Sequence, residues 1–517
     1  MRFHLSLVTL LLCWVSATRP ANVLMLLNAP SRSHHIWNSA LVTALAERGH
    51  NVTVLVTLPV KNPGPNITSL VLEGMYEFVE EQEEFDLENM TDTPPSEMLD
   101  IFFEWVFKTC EFTFKNKGMK TLLNYPDNFK FDLLIYEASC GECLLGLAKR
   151  FGSPPAIGVS GFSHPHWIDY MFGNPNNPAY ISNIMLPYSD HMTFSERMHN
   201  FLFNLWVDHL WNSKVLPNID ATSRKYLGPS SAVPSQEIIK VSAVMVNTHP
   251  SFDNPRPLVP SVVNVAGIHV KEPKPLPKDL QEYLDNAKEG VVFFSLGSNL
   301  QSKKLKEEKR QAILSAFAEL PEKVLWKWEA DILPGQPKNV KVGKWLPQTD
   351  ILAHPNVRLF ITHSGLLSTQ ESIHRGVPML GIPFFADQQI NIEKSMRHGV
   401  GLRLDYNDIT KESLLKTIRS VIDDPSYAKN MRELSSKFRD RPETPLETAV
   451  FWCEYVMRHK GAPHLRSAAK DLYLFQYLLL DVIAFASAAT LVPVLLLCYC
   501  CKKIFSKKLV QNKIKKN

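Results

Sequence analysis

Short runs of apolar, often β-branched residues recur along this chain, with stretches of helical spacing between them. NVLMLL (22–27) and VTVLVT (52–57) are such runs, and the segment from Asn38 to Arg48 between them repeats its apolar residues at helical intervals. Strands that are apolar throughout, rather than alternating, belong in a parallel sheet covered on both faces. DLLIY (132–136) opens a second unit of this kind, with a helix predicted over Glu142–Arg150, a strand at Ala156–Ser160 and another at Val241–Val246. Met75–Lys120 breaks the alternation. It reads as helical, acidic and aromatic, an insertion that shapes a binding surface.

A proline-rich break, KEPKPLP (271–277), separates this pattern from a second round of it. VVFFSLG (291–297), a helix over Lys304–Ala318, VLWKW (324–328), LFIT (359–362), a helix to Arg375 and MLGIP (379–383) follow in turn. Two successive α/β units predict two Rossmann-like domains facing a cleft. No G-x-G-x-x-G occurs, so a dehydrogenase reading has no fingerprint to stand on.

The two ends add a compartment. Met1-Arg2-Phe3-His4 precedes an apolar stretch from Leu5 to Val15 and then Ser16-Ala17-Thr18, the layout of a secretory signal peptide cleaved after Ala17. Val482 to Cys501 carries no charge, and twenty such residues at about 1.5 Å each span roughly 30 Å, a bilayer core. Pro493 is tolerable within a membrane helix. Lysines at 502, 503, 507 and 508 follow and place the tail in the cytosol. The last five residues, KIKKN, resemble a retrieval signal of endoplasmic reticulum membrane proteins.

Charge and cysteines agree with that layout. The net charge is +4 over 517 residues, yet seven lysines and no acid lie in 502–517, which leaves the remainder slightly acidic. A nucleic-acid binder would spread basic residues over its folded surface. Cys13 leaves with the signal peptide, and Cys498, Cys500 and Cys501 sit at the cytosolic membrane edge. Cys140 and Cys143 form a lone C-x-x-C without a second pair, so buried thiols or an incidental disulfide are expected and zinc is not. Sequons stand at Asn51, Asn66 and Asn89. Asn66 and Asn89 lie in polar segments, whereas Asn51 precedes a strand.

The densest chemistry lies in WLPQTDILAHPNVRLFITHSGLLSTQESIHRGVPMLGIPFFADQ, residues 345–388. Trp345 offers a flat face for a base, and Gln348 can hydrogen-bond a base or ribose. The strand LFIT ends at His363, and Ser364-Gly365 turns into a helix whose first N–H groups suit a diphosphate. Glu371 lies within that helix, and Asp387 with Gln388 follows the next strand and loop. This segment closely resembles the signature of the UDP-glycosyltransferase family, whose vertebrate members are the UDP-glucuronosyltransferases. FSLGS (294–298), VNTHPSFDNPRP (246–257) and FFADQ (384–388) look most like arthropod members.

The resemblance covers almost the whole chain and implies a GT-B architecture with one C-terminal transmembrane helix. It divides the chain into a signal peptide (1–17), an acceptor-binding domain (18–270), a linker (271–285), a UDP-sugar-binding domain (286–445), return helices and a juxtamembrane segment (446–480), a membrane helix (481–501) and a cytosolic tail (502–517). It implies that Trp345 stacks uracil and Gln348 contacts the nucleoside. Ser298, His363, Gly365 and Ser368 would surround the diphosphate, Glu371 would bind ribose, and Asp387 with Gln388 would hold sugar hydroxyls. UDP-sugar is then a co-substrate. No cofactor is implied and no metal cluster is visible.

A base is expected near the first strand. Ser33-His34-His35 follows that strand and a loop (Asn28–Arg32), and a histidine there suits proton removal from an acceptor hydroxyl. His34 lies sixteen residues before His50 of an Arg48–His50 RGH motif, the spacing of the family's catalytic histidine, and is preferred to His35. The family pairs this histidine with an aspartate after the strand at 131–136; here Glu137 stands in its place, with Asp132 at the wrong end of the strand as a fallback. The expected reaction is inverting transfer of a hexose, glucose by the arthropod resemblance and glucuronic acid otherwise, to small lipophilic hydroxyl acceptors in detoxification or in hormone or pigment conjugation. A membrane lipophile binder without catalysis is the competing class. The donor segment and His34 argue against it, since a binder has no need of a UDP site. Assembly into a homo-oligomer is compatible with the sequence.

Overall fold

The computed structural model describes residues 20–82 and 87–514; the expected signal peptide lies outside them. Among the described residues the first sheet contains β1 (Asn22–Leu27), β2 (Asn51–Val56), β3 (Ile67–Val71), β4 (Leu133–Glu137), β5 (Ala156–Ser160), β6 (Ala243–Val246) and β7 (Val262–Asn264). The second contains β8 (Val291–Ser295), β9 (Lys323–Lys327), β10 (Val340–Gly343), β11 (Val357–Thr362), β12 (Met379–Gly381) and β13 (Gly401–Arg403). Every pairing is parallel, in the orders β3-β2-β1-β4-β5-β6-β7 and β10-β9-β8-β11-β12-β13.

The apolar runs become strands because both faces of each sheet are screened from water. In β1, Leu24 and Leu26 enter one apolar layer while Val23, Met25 and Leu27 enter the other. In β8, Val292 and Phe294 face one layer and Val291 and Phe293 the opposite one. Phe293 stacks on Phe360 of the neighbouring β11, with ring centroids 5.1 Å apart. The four strands without an apolar run in the sequence, β3, β7, β10 and β13, are the four sheet edges. Edge strands are short and covered on fewer sides, so their residues need not be uniformly apolar.

Helices cross between the strands, and three of them position the site: α1 (Arg32–Glu47), then α3 (Leu366–Arg375) and α4 (Gln388–Arg397) in the second sheet's half. Between these in the chain, α2 (Pro95–Lys115) runs through the expected insertion. The insertion is helical, as its composition suggests, with further helices at Met75–Gln82, Leu87–Asp92 and Lys117–Leu123. The segment expected as a helix at Glu142–Arg150 is a 3-10 helix over Glu142–Phe151. A disulfide joins Cys143 in that segment to Cys110 of α2, so the C-x-x-C motif does not close on itself and Cys140 stays a buried thiol.

After the second sheet, α5 (Pro445–Arg458) begins with a Thr444–Glu447 capping box. Ala449, Val450, Cys453 and Val456, spaced as one helical face, pack into the first sheet's apolar layer that also holds Trp37 and Leu41 of α1. Residues 467–517 form a separate unit dominated by α6 (Leu480–Ile514). Within α6, Leu480–Lys508 is long and apolar enough to cross a membrane, and it contains Pro493.

Candidate active site

Both sheets reverse their order of growth at a central pair of strands, and that is where a crevice opens at the carboxyl edge of a parallel sheet. In the first sheet the pair is β1 and β4; His34 follows β1, and Glu137 is the last residue of β4. In the second it is β8 and β11, followed by Gly297-Ser298 and by His363-Ser364-Gly365. A cavity of about 330 Å³ is lined by residues from both carboxyl edges, among them His34, Ser298, His363, Gly365, Ser368, Asp387 and Gln388. Asn299 Nδ2 donates to Ser31 Oγ at 3.0 Å, tying the two edges together at the rim.

His34 occupies the first turn of α1, which begins at Arg32, six residues before the helical pattern read at Asn38–Arg48 does. The first turn, RSHH, is polar because it borders the cavity. His34 Nδ1 is hydrogen-bonded to Glu137 Oε1, and Asn38 Nδ2, one turn further along α1, donates to Glu137 Oε2 at 3.2 Å. The glutamate thus reaches two partners on α1 at once, despite the extra methylene relative to the family's aspartate. Asp132 is at the opposite end of β4, bound to the amide of Asn22. His35 turns instead toward Ser39, 3.4 Å away.

With Nδ1 engaged by a carboxylate, the imidazole has Nε2 left for the cavity. His34 is 7% exposed and Glu137 1%, so their interaction is almost unscreened by water. Burial alone would pull the His34 pKa below its ordinary value. The charge and hydrogen bond of Glu137, helped by Asp387, outweigh burial and leave it raised. The ring is held on its other sides by Phe162, edge-on with centroids 4.8 Å apart, and by Gly161, where a Cβ would lie 3.1 Å from Nδ1. Asn38, Gly161 and Phe162 escaped sequence reasoning. Asn38 alone carried a signal, four residues after His34, visible once the helix is known to start at Arg32.

The opposite wall is built around His363. Burial, with the nearby Lys327 cation, pushes its pKa down to about 4, so at neutral pH it is an uncharged ring with one N–H to offer. Lys327 Nζ is itself held by the Gly297 carbonyl at 2.8 Å and by Glu329. Glycines flank the ring: a Cβ at Gly297 would lie 2.3 Å from His363 Cε1, and one at Gly365 2.4 Å from Nε2. Gly297 also has φ +80°, a conformation L-residues rarely adopt. Ser364 (φ 63°) and Ala386 (φ 54°) adopt the same left-handed region beside the cavity, a form of strain that accumulates at functional sites. Gly297→Ala should therefore displace His363 and, if His363 meets the diphosphate as the family resemblance implies, weaken UDP binding by about ten- to a hundredfold, the equivalent of an overpacking strain of 1–3 kcal/mol. Titration calorimetry with UDP checks this; an unchanged Kd contradicts it.

Helix α3 starts at Gly365, whose lack of a side-chain cap leaves the first amide N–H groups free for an anion. Gln348 Nε2 donates to Ser368 Oγ at 3.0 Å and to the Glu371 carboxylate, which also accepts from Thr349 Oγ1. Burial raises the Glu371 pKa against the pull of those two donors. Trp345 is 58% exposed, a large apolar ring left open as a stacking face. Asp387 is buried, which raises its pKa against the opposing Asn391 hydrogen bond, Lys394 and His34. Gln388 Oε1 is occupied by the amides of Phe384 and Phe385, so its Nε2 is the group left to donate outward.

Away from the two carboxyl edges, the cavity is lined by Met98, Phe102, Trp105, Phe162, Trp167 and Met185. Phe102 anchors this wall, with Trp105, Phe162 and Trp167 at centroid distances of 6.0, 6.2 and 6.4 Å. Such a surface suits a flat, apolar ligand. Of the sequons, Asn89 is exposed, Asn51 is exposed although it opens β2, and Asn66 is half-buried and donates to the Ala46 carbonyl.

The family model described as UDP-glucoronosyl and UDP-glucosyl transferase matches residues 23–516. UDP-glycosyltransferase UGT5 of Dactylopius coccus is 40% identical over 492 residues, covering 94% of this chain and 92% of its own. UDP-glucosyltransferase 2 of the same insect is 37% identical over 526 residues and covers both chains completely. Among solved structures, the spinosyn forosaminyltransferase SpnP superposes with a TM-score of 0.58 over 85% of this chain and 100% of its own. At 18% identity that likeness bears on the fold alone.

Proposed function

The chain belongs to the UDP-glucoronosyl and UDP-glucosyl transferase family and is a UDP-glycosyltransferase, and from that premise we propose that it transfers glucose from UDP-glucose, with inversion, to a hydroxyl of a small lipophilic acceptor. The observation that carries the reading is His34, bound through Nδ1 to Glu137 on the wall of a cavity shared with the donor cradle. His34 Nε2 takes the acceptor proton as the oxygen attacks the anomeric carbon, and Glu137 stabilises the imidazolium that forms. The new C–O bond forms as the bond from that carbon to the β-phosphate oxygen breaks, and UDP departs. The α3 amides, His363 and Ser298 meet its charge, preorganised against water. Trp345 and Gln348 take the nucleoside, Glu371 the ribose, and Asp387 with Gln388 the hexose hydroxyls.

Glucose is favoured by the full-length likeness to a relative named as a glucosyltransferase. The competing donor, UDP-glucuronate, draws support from Arg32 and Lys304, cations that line the cavity from its two halves and would suit a uronate carboxylate. The aromatic wall favours phenols or lipophilic alcohols, consistent with detoxification or with hormone or pigment conjugation. In this reading residues 18–270 bind the acceptor and 286–445 the donor. The signal peptide, α6 and the lysine-rich tail make a single-pass protein of the endoplasmic reticulum membrane, with Asn51, Asn66 and Asn89 in the lumen. UDP release by the membrane-bound protein, measured over a panel of phenols with each donor, tests this. Turnover with UDP-glucose is expected; turnover with UDP-glucuronate alone overturns the sugar, and UDP binding without turnover overturns the acceptor class.

A further inference from the structure

The motif NTHPSFDNPRP (247–257) supplies no residue to the cavity lining or to the His34–Glu137 pair. It follows β6 of the first sheet, yet Phe252, Asp253 and Asn254 within it contact α4, the helix that Asp387 and Gln388 open. Lys394 Nζ on α4 lies 2.6 Å from Asp253 Oδ1, with the two side chains 6% and 12% exposed. The second oxygen of Asp253 accepts from the His249 amide at 2.9 Å, which fixes the carboxylate within its own turn. One turn beyond Lys394 the same contact continues: His398 Nε2 meets the Phe252 carbonyl at 3.2 Å, and Arg397 donates to Asn254 at 2.8 Å.

On α4, Asp387, Asn391 and Lys394 follow one another at intervals of four and three and so share a face. Asn391 Nδ2 donates to Asp387 Oδ2 at 3.0 Å and to the Ser364 carbonyl at 3.1 Å. The path from the 249–254 turn to the sugar end of the cavity therefore passes through a single helix face. A buried ion pair adds little net stability over an apolar pair, but it admits few alternative geometries, because either partner left alone is an uncompensated charge. That property suits a spacer that must hold a helix at one rotation and height.

We propose that Lys394 and Asp253 are positioning residues for the donor sugar, locking α4 so that Asp387 and Gln388 meet the hexose opposite His34. The inference rests on the reading of Asp387 and Gln388 as the sugar's ligands. UDP lacks the sugar, so its affinity should be insensitive to this pair.

Lys394→Met and Asp253→Asn in the full-length membrane protein test it, each measured for UDP affinity and for steady-state turnover of UDP-glucose. The Kd for UDP should stay within about twofold of wild type while kcat/KM falls about ten- to a hundredfold, as a misplacement on the scale of 1 Å costs. The double variant should lose no more than the worse single one, since the two act as one unit. Lys394→Arg, which keeps the charge, should recover most of the loss. A parallel fall in affinity for UDP and in turnover, or no loss of turnover in either variant, overturns the proposal. Asp387→Asn separates the layers: if it leaves kcat/KM unchanged, the sugar-site reading fails and this inference with it. If Asp387→Asn lowers kcat/KM and neither Lys394→Met nor Asp253→Asn does, the positioning role alone fails.

Discussion

Replacing His34 by alanine is expected to lower kcat by about three orders of magnitude, within the range that removal of a general base costs, while the Kd for UDP stays as it was. The two effects separate because the imidazole stands at the first sheet's edge, beside β1 and β4, whereas the diphosphate cradle is made by Gly297, His363 and the start of α3. His34 is held by Glu137, Phe162 and Gly161, and among the described residues its ring makes no hydrogen bond to Gly297, His363 or the start of α3. Its loss should remove the proton acceptor without rearranging the donor site. Single-turnover UDP-glucose consumption beside UDP calorimetry gives both numbers. A variant that turns over within tenfold of wild type would mean that some other group takes the proton.

Glu137→Gln should be nearly as damaging and should also move the pH profile. In its proposed role His34 acts as a base only when neutral. Its pKa is raised above 6.5, so kcat/KM should fall as pH drops through that raised value. Glutamine removes the charge that raises the pKa and leaves the burial that lowers it. The acid limb of the profile should therefore shift to lower pH, even as the plateau falls by a factor on the order of 10² to 10⁴. The linkage to stability runs in a matching direction. A histidine whose pKa is raised on folding stabilises the protein below the unfolded value near 6.5, and that contribution disappears as pH rises through the folded value. The variant's loss of thermal stability should accordingly be larger on the acid side than on the alkaline side. An unshifted acid limb would disconnect Glu137 from the ionisation of His34.

Strands with most positions buried on both faces were legible from residue pattern, and the edge strands were not. β1, β8 and the LFIT part of β11 announce themselves because nearly every position is apolar, whereas β10 (VKVG) and β13 (GLR) could as well have been loops. The start of α1 was hidden for the same kind of reason. Its first turn faces a polar site, so the helical pattern read from the sequence begins only at Asn38, past His34. The disulfide was hidden because Cys110 and Cys143 are 33 residues apart, and only the packing of α2 against the 3-10 segment brings them together.

Apart from Gly297 and Ser298 after β8, the expected donor cradle lies within one stretch of 44 residues, so those parts and their order can be read directly from residues 345–388. A strand end, a glycine turn and a helix start are local events, set by neighbours in the chain. The other half of the site is of a different kind. His34 and Glu137 are 103 residues apart, and Asp253 and Lys394 are 141 apart. His34 and Glu137 are identified in the sequence by their spacing within the family resemblance, not by any local chemistry, and Asp253 and Lys394 are not identified there as a pair; their ionisation and hydrogen-bonding follow from the low dielectric and the fixed geometry of the packed cleft. Residue order therefore sets out the parts of the expected nucleotide-sugar cradle, and tertiary packing decides that His34 faces a carboxylate and that Lys394 meets Asp253.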